Sequence, residues 1–311
     1  MGKLQELRSY INTLVVGREK ELDLMLIALI QGGHVLLESA PGSGKTWMAK
    51  AFAEAFSGTF RRLQFTPDVL PSDVTGIRFL NPKTQEFELR TGPVVANLLL
   101  ADEINRATPR TQSSLLEAME EKQATIDGET IKLPEPFMVL ATQNPQEFQQ
   151  GTFPLPAAQM DRFLFRLVID YPSFDEELAI IRNFRSGQSN SMHIEPVATP
   201  EDVLAWAKEA GEVVLHQDIE RFIVDLVRRT REHRAIELGL SSRAALAIAR
   251  AAQGRAFLEG RTFVTPDDVK VVMEPIALHR LHLTAEGMLV QDAAAILHEV
   301  MESVPVPVEI G

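Results

Sequence analysis

The chain has no cysteine among its 311 residues. That absence excludes disulfides, thiolate zinc sites and a cysteine nucleophile. It also lacks an apolar run long enough to cross a bilayer. The best run, around Asn97–Ala101, is strand-sized and ends in acids. The opening segment MGKLQELRSY has no apolar signal core, so the expected location is the cytoplasm. Positive charge is scarce: 31 Lys and Arg stand against 43 Asp and Glu, a net charge of −12. An acidic balance argues against broad nucleic-acid binding, though it allows a local basic groove. Repeats and low-complexity tracts are missing too. A hydrophobic content of 45% with 24% charged residues excludes global disorder. The length fits one large domain or two ordinary ones.

What is present divides in two. Residues 1–173 mix short apolar strands with helices, and residues 174–311 read almost entirely as helix. At the join, Ser173 can cap a helix whose first turn carries Asp175, Glu176 and Glu177. In the first part, Glu19–Gln31 reads as an apolar helix stopped by Gly32-Gly33. His34–Glu38, Leu98–Ala101, Phe137–Thr142 and Phe163–Ile169 read as strands, with helices over Thr46–Phe56 and Pro109–Glu121. Strands apolar on both faces, alternating with helices, predict a parallel sheet covered on both sides. Two hairpins interrupt the pattern. One joins Ile77–Leu80 to Glu86–Leu89; the other joins Ala124–Ile126 to Thr130–Leu133 through Asp127-Gly128. In the second part, helices are predicted over Pro200–Ala210, Gln217–Glu232, Ser242–Leu258 and Pro266–Leu278. Thr199 and Thr265, each before a proline, mark two of their starts.

Ser39-Ala40-Pro41-Gly42-Ser43-Gly44-Lys45-Thr46 follows a predicted strand and opens a predicted helix, the context a Walker A motif needs. Backbone N–H groups at Gly42, Gly44 and Lys45 would face phosphate oxygens, helped by the helix N-terminus. Lys45 would neutralise the β and γ phosphates, and the Thr46 hydroxyl would ligate Mg²⁺. Ser39 stands where the pattern has its first glycine; it is strained there if the position requires positive φ. The strand Leu98–Ala101 ends in Asp102-Glu103. At a strand's C-terminal end both carboxylates reach the cleft where such sheets bind ligands. Asp102 would hold the Mg²⁺ shell, and Glu103 would orient and deprotonate the attacking water.

With this phosphate loop, the segments LLLADEINRATPRTQSSLLEAMEE (98–121), ATQNPQEFQQGTFPLPAAQMDRFLF (141–165) and GLSSRAALAIARAAQGRAFLEGR (239–261) resemble the MoxR family of AAA+ ATPases. The resemblance runs from Val16-Gly17 to the helices after Pro266. It implies an α/β AAA+ P-loop core over 1–173, with the two hairpins as inserts facing a pore or a client, and an all-α lid over 174–311. Asn144 resembles the sensor 1 residue that contacts the γ-phosphate or the lytic water. Arg162, in Met160-Asp161-Arg162-Phe163, resembles an arginine finger reaching a neighbour's site. Arg243 resembles sensor 2, although Ser242 stands where the family has proline. Val16 and Gly17 resemble the turn near adenine. The nucleotide contacts so implied are Val16, Gly17, Pro41, Gly42, Ser43, Gly44, Lys45, Thr46, Trp47, Asp102 and Arg243. Arg106 reads as a second residue facing a neighbour or as a surface ion pair.

The implied activity is Mg²⁺-dependent ATP hydrolysis in a homo-oligomeric ring, most simply a hexamer. The implied role is chaperone-like remodelling or maturation of a client complex, including metal insertion. The partner type is a protein with a von Willebrand factor A domain. A magnesium chelatase motor subunit is the alternative; Pro-Leu-Pro-Ala-Ala-Gln-Met before Asp161 favours MoxR. A nucleic-acid motor is opposed by the acidic balance, and a non-hydrolysing scaffold by Glu103 and Arg162. His279, His282 and His298 read as unpaired surface or half-buried residues rather than a metal cluster, and Glu120-Glu121 as a solvated helix end.

Overall fold

A computed structural model describes residues 2–15, 17–39, 44–144, 151–171, 173–185 and 195–307. The core elements run α1 (Gly2–Leu14), α2 (Glu19–Ile30), β1 (Val35–Ser39), α3 (Lys45–Ala55), β2 (Phe60–Gln64), α4 (Pro71–Thr75), β3 (Gly76–Leu80), β4 (Phe87–Thr91) and β5 (Leu98–Asp102). They continue with α5 (Pro109–Glu121), β6 (Gln123–Ile126), β7 (Glu129–Lys132), β8 (Met138–Gln143), α6 (Ala157–Met160) and β9 (Phe165–Ile169). Five strands form one sheet in the order β2-β5-β8-β1-β9. Every pairing in it is parallel. The three central strands, β5, β8 and β1, are buried along their whole length, as their unbroken apolar runs require. One face carries α2 and α3 with Leu22, Met25, Phe52 and Phe56 fully covered; the other carries α5 with Leu115 and Leu116. Burying a side chain of this size contributes about 1.5–3 kcal/mol.

The predicted elements recur with small shifts. β9 begins at Phe165 rather than Phe163, because the backbone N–H groups of Leu164 and Phe165 first bond the carbonyl of His34. β8 runs one residue further, to Gln143, because it stays paired with Glu38. The first hairpin pairs Leu80 with Phe87 and Gly76 with Thr91, so β4 extends past the expected Leu89. Its turn holds Gln85 at φ 56°. Ser39 ends β1 in extended backbone paired with Ile169 and is not among the positive-φ residues, so the conditional strain does not arise.

The C-terminal half comprises α7 (Phe174–Arg185), α8 (Pro200–Gly211), α9 (Gln217–Glu232), β10 (Ile236–Leu238), α10 (Ser242–Leu258), α11 (Pro266–Ala277), β11 (His282–Leu283), α12 (Ala285–Val290) and α13 (Ala293–Ser303). The short antiparallel β10–β11 ribbon is the departure from an all-helical reading. Thr199 and Thr265 each form a reciprocal cap with an Asp three residues on, before a first-turn proline. Ser241, not Ser242, caps α10: its Oγ accepts from Ala244 N–H at 3.2 Å. Ser242 takes the first helical position, where a proline would also fit.

α10 packs on α2 through small residues. A Cβ on Gly254 would come within 2.9 Å of Ile27. Beside this contact, Asp23 receives Arg8 at 2.6 Å and Arg255 at 3.1 Å, joining α1, α2 and α10. A second anchor is Arg280. Its Nε donates to Asp161 Oδ1 at 2.6 Å, and its Nη2 donates to the carbonyls of Asp161 and Phe163 at 3.1 and 2.8 Å. His279 is buried beside it, with Nε2 3.1 Å from the Phe163 carbonyl. This corrects the expectation of a surface or half-buried histidine: the ring fills the seam between α11 and the segment before β9. His282 and His298 are exposed, as expected.

Two predictions follow from these buried polar groups. Arg280 is enclosed, so truncating Asp161 leaves a guanidinium without its counter-ion. Asp161→Ala should cost about 3 kcal/mol, read as a lower urea midpoint at unchanged slope. His34 accepts from Val139 N–H through Nδ1 at 3.0 Å, which fixes the proton on Nε2, 3.2 Å from the Met119 carbonyl. Burial, with Lys122 adding to it, pushes its pKa down to about 4. Above pH 6.5 the ring is neutral in folded and unfolded chains alike. Between pH 6.5 and about 4 only the unfolded chain takes up the proton, so stability falls as pH falls. The loss attributable to His34 is about 3 kcal/mol over that range. His34→Gln, which can keep both hydrogen bonds without titrating, should flatten the slope by that amount in paired denaturation curves.

Candidate functional site

Parallel strands leave their C-terminal ends along one edge of the sheet, and the polar residues of this chain gather there. Register aligns Gln64 with Asp102 and Glu38 with Gln143, and Ser39 ends β1 between them and β9. Gly44 follows at φ 83°, a left-handed conformation that suits glycine, and Lys45 opens α3. No side chain caps α3, so its first N–H groups remain available to a ligand. Lys45 and Thr46 are half-buried, and Lys45 has no acidic partner among the described residues. Val16, Pro41, Gly42 and Ser43 lie outside the described residues.

The turn before α2 comes close to this helix. Trp47 is partly exposed, and its Nε1 donates to the Leu14 carbonyl at 3.2 Å. Gly17 has φ 76°, and a Cβ there would overlap the Glu176 carboxylate. Any other residue would be strained there, and the Glu176 side chain would have to move aside. Glu176 is itself held by Ser173, whose N–H donates to Oε2 at 2.6 Å, as the predicted helix start requires.

The acidic pair is held by its neighbours on both sides. Asp102 is buried, and its Oδ1 accepts from Thr142 Oγ1 at 2.6 Å. The same hydroxyl accepts from Glu103 N–H at 2.9 Å, so one threonine orients both acids. Glu103 adopts φ 57°, which turns its carboxylate out of the strand direction. Its Oε2 accepts from Gln64 Nε2 at 2.7 Å and lies 3.2 Å from Arg106 Nε. Arg106 therefore makes the surface ion pair that was one of its two readings. Asp102 Oδ2 meets Arg62 Nη2 at 2.7 Å. Asn144 is buried immediately beyond β8, next to Thr142 and within the same edge. Thr142, Gln64 and Arg62 were missed by sequence reasoning. Thr142 sits inside the Ala141-Thr142-Gln143-Asn144 segment already singled out. Gln64 and Arg62 lie on β2, whose FRRLQ sequence carries no strand signal.

These donors fit a hard divalent cation. A buried carboxylate and a threonine hydroxyl are oxygen ligands of the kind Mg²⁺ takes. Asp102 and Thr46 would hold it.

Arg162 and Arg243 stand elsewhere. Arg162 precedes β9, whose Phe165 pairs with Val35 at the start of β1. Lys45 follows the end of that strand. The five-residue span of β1 puts roughly 13 Å of sheet between the two ends. Arg162 Nη1 donates to the Leu116 carbonyl at 2.5 Å, and Nη2 pairs with Glu120 Oε2 at 2.8 Å. Arg243, mostly exposed, lies 3.4 Å from Glu120 Oε1 and 3.7 Å from Asp161 Oδ2. Glu120 is an exposed helix end, as expected, and it bridges both arginines. Arg243, in the first turn of α10, stands beside Arg162 rather than beside Lys45.

Comparison with known proteins agrees with this geometry. Residues 34–165 match the ATPase family associated with various cellular activities (AAA), and residues 228–300 match the AAA lid domain. Protein YeaC of Bacillus subtilis is 46% identical over 99% of this chain and 95% of its own length. Chaperone MoxR1 of Mycobacterium tuberculosis is 39% identical over 96% of this chain and 80% of its own. A solved structure of a candidate ATPase from Cytophaga hutchinsonii superposes with a TM-score of 0.92 at 36% identity, covering 99% of this chain and 96% of the other. With a phosphate-loop helix, an acidic pair at the end of β5 and a helical lid on one chain, the protein belongs to the MoxR family of AAA+ ATPases.

Proposed function

We propose that this protein hydrolyses ATP with Mg²⁺ at sites shared between neighbouring copies in a ring, most simply a hexamer. The observation that carries the reading is the separation of its parts. Lys45, Thr46, Asp102, Glu103 and Asn144 belong to one end of the sheet; Arg162 and Arg243 belong to the other. Neither arginine reaches the phosphates held by its own chain. Both sit partly exposed around Glu120, available to a neighbour's cleft.

In that arrangement Lys45 and the first turn of α3 bind the β and γ phosphates. Residues 1–173 act as the nucleotide-binding domain and 174–311 as the lid. Val16, Gly17 and Trp47 border the adenine, and Pro41, Gly42 and Ser43 complete the phosphate cradle. Bound Mg²⁺ supplies charge neutralisation for the transferring phosphoryl group. Glu103 orients the attacking water and takes its proton, and Asn144 holds that water or the γ-phosphate. Arg162 from the next copy stabilises charge developing on the transferred group. Arg243, beside it, reports the neighbour's nucleotide to the lid that carries it. The work so driven is remodelling or maturation of a client complex, including metal insertion, through a partner with a von Willebrand factor A domain, in the cytoplasm. The relative from Mycobacterium tuberculosis is named Chaperone MoxR1, and that supports this role. Among the described residues no helix is long and apolar enough to cross a membrane.

The test is ATPase rate per protomer against protein concentration. The rate should rise with concentration as rings assemble. Arg162→Ala should lose at least about 100-fold in kcat, toward the 10³–10⁵ range of arginine fingers, with nucleotide affinity retained. Glu103→Gln should bind ATP without turnover, and mixing it with Arg162→Ala should restore no activity at a doubly defective interface but some at an intact one. A flat rate that ignores Arg162→Ala would overturn the shared site.

A further inference from the structure

The Asp102 carboxylate is enclosed, with 6% of its side chain exposed. A buried carboxylate needs a compensating charge or a full set of donors. Thr142 supplies a neutral hydroxyl to Oδ1. The charge comes from Arg62, whose Nη2 donates to Oδ2 at 2.7 Å. Arg62 lies on β2, the edge strand, two residues before Gln64 and therefore on the same face. The same Nη2 is 3.1 Å from Gln64 Oε1, and the Gln64 amide donates in turn to Glu103. Arg62, Gln64, Asp102 and Glu103 thus form one chain of charged and amide groups.

We propose that Arg62 is the resident counter-ion of Asp102, a guanidinium that Mg²⁺ must displace, and that it sets the metal concentration at which the site closes on nucleotide. This rests on the reading of Asp102 as a metal-shell residue. The Arg62 guanidinium yields the carboxylate only by moving. It can move: its side chain is 49% exposed, on a long stem at the open edge of the sheet. A divalent cation and its waters claim the same carboxylate, and two cations on one oxygen repel. Arg62 and the metal are therefore alternative occupants. Arg62 also steadies Gln64, so its departure loosens the amide that restrains Glu103. Metal arrival and release of the water-activating acid become one event.

The experiment is binding of a fluorescent ADP analogue to the full chain across a Mg²⁺ titration, with Mn²⁺ binding followed by electron paramagnetic resonance without nucleotide as a second readout. Neither needs turnover. Arg62→Gln removes the competing charge from a half-exposed position. It should lower the half-saturating Mg²⁺ about three- to fivefold, the upper worth of a partly exposed ion pair, and tighten Mn²⁺ binding likewise. Nucleotide affinity in the absence of metal should weaken, because Asp102 then repels phosphate uncompensated. Arg62→Lys, which keeps the charge, should stay within about twofold of the native threshold. An unchanged or raised threshold in Arg62→Gln overturns the proposal, as does an equal fall in Arg62→Lys. Lys45→Ala separates the two levels. If analogue binding survives it, the phosphate-site reading itself fails and the role of Arg62 falls with it. If binding is lost there while Arg62→Gln leaves the threshold unchanged, only the counter-ion role fails.

Discussion

The register between β5 and β8 is the constraint on which the site depends. Ala101 pairs with Ala141, so the next residues, Asp102 and Thr142, stand side by side at the ends of their strands. One hydroxyl then donates to Asp102 and accepts from the Glu103 backbone. A slip by one residue would send each side chain to the opposite face and separate the acids from their common partner. The unbroken apolar runs on both strands prevent that slip, because they are buried on both faces and continue straight into the polar ends. Stability and chemistry are therefore set by the same few residues: the apolar stretch fixes where the sheet stops, and the stop fixes where the acids point.

The edge of the sheet obeys different rules. β2 has only Phe60 and Leu63 as apolar residues, and most of its length is open. Sequence patterning detects strands by burial, and an edge strand with two arginines and a glutamine gives no such signal. Yet its outward positions include the groups nearest the acidic pair. The legible part of the site is Asp102 and Glu103, which end an apolar run, with Asn144 reached through the family resemblance; Thr142, though on a central strand, gave no signal of its own. The illegible part, Arg62 and Gln64, is brought in by pairing that only the fold supplies. The same holds for Arg280, far along the chain from Asp161, and for His279, whose burial depends on how α11 meets the segment before β9. In the C-terminal half, α8, α10 and α11 were legible to within a residue or so at their starts, because Thr-Pro and Ser signals act locally, whereas α12 and α13 were not singled out.

Two of the polar fastenings between that half and the core are multi-residue clusters. Asp23 gathers Arg8 and Arg255 where α10 crosses α2, and Arg280 grips the backbone on either side of Arg162. Asp161 pairs with Arg280 from one direction and faces Arg243 from the other. These contacts tie α10 and the turn after α11 to the two residues flanking Arg162.

The two ends of the sheet then complete the argument. Backbone polarity in a parallel sheet is a one-way property: every strand exits at the same edge, so ligand-binding loops collect there and leave the entry edge free. This chain spends its entry edge on cations, Arg162 and Arg243, which are balanced locally by Glu120 and Asp161. Glu120 serves two arginines through its two oxygens, so neither pair is saturated, and both guanidiniums keep donors free. The polarity of one parallel sheet thus sets the acidic pair and Lys45 at one end and the two arginines at the other, and under the proposed shared site a head-to-tail contact between copies would bring them together.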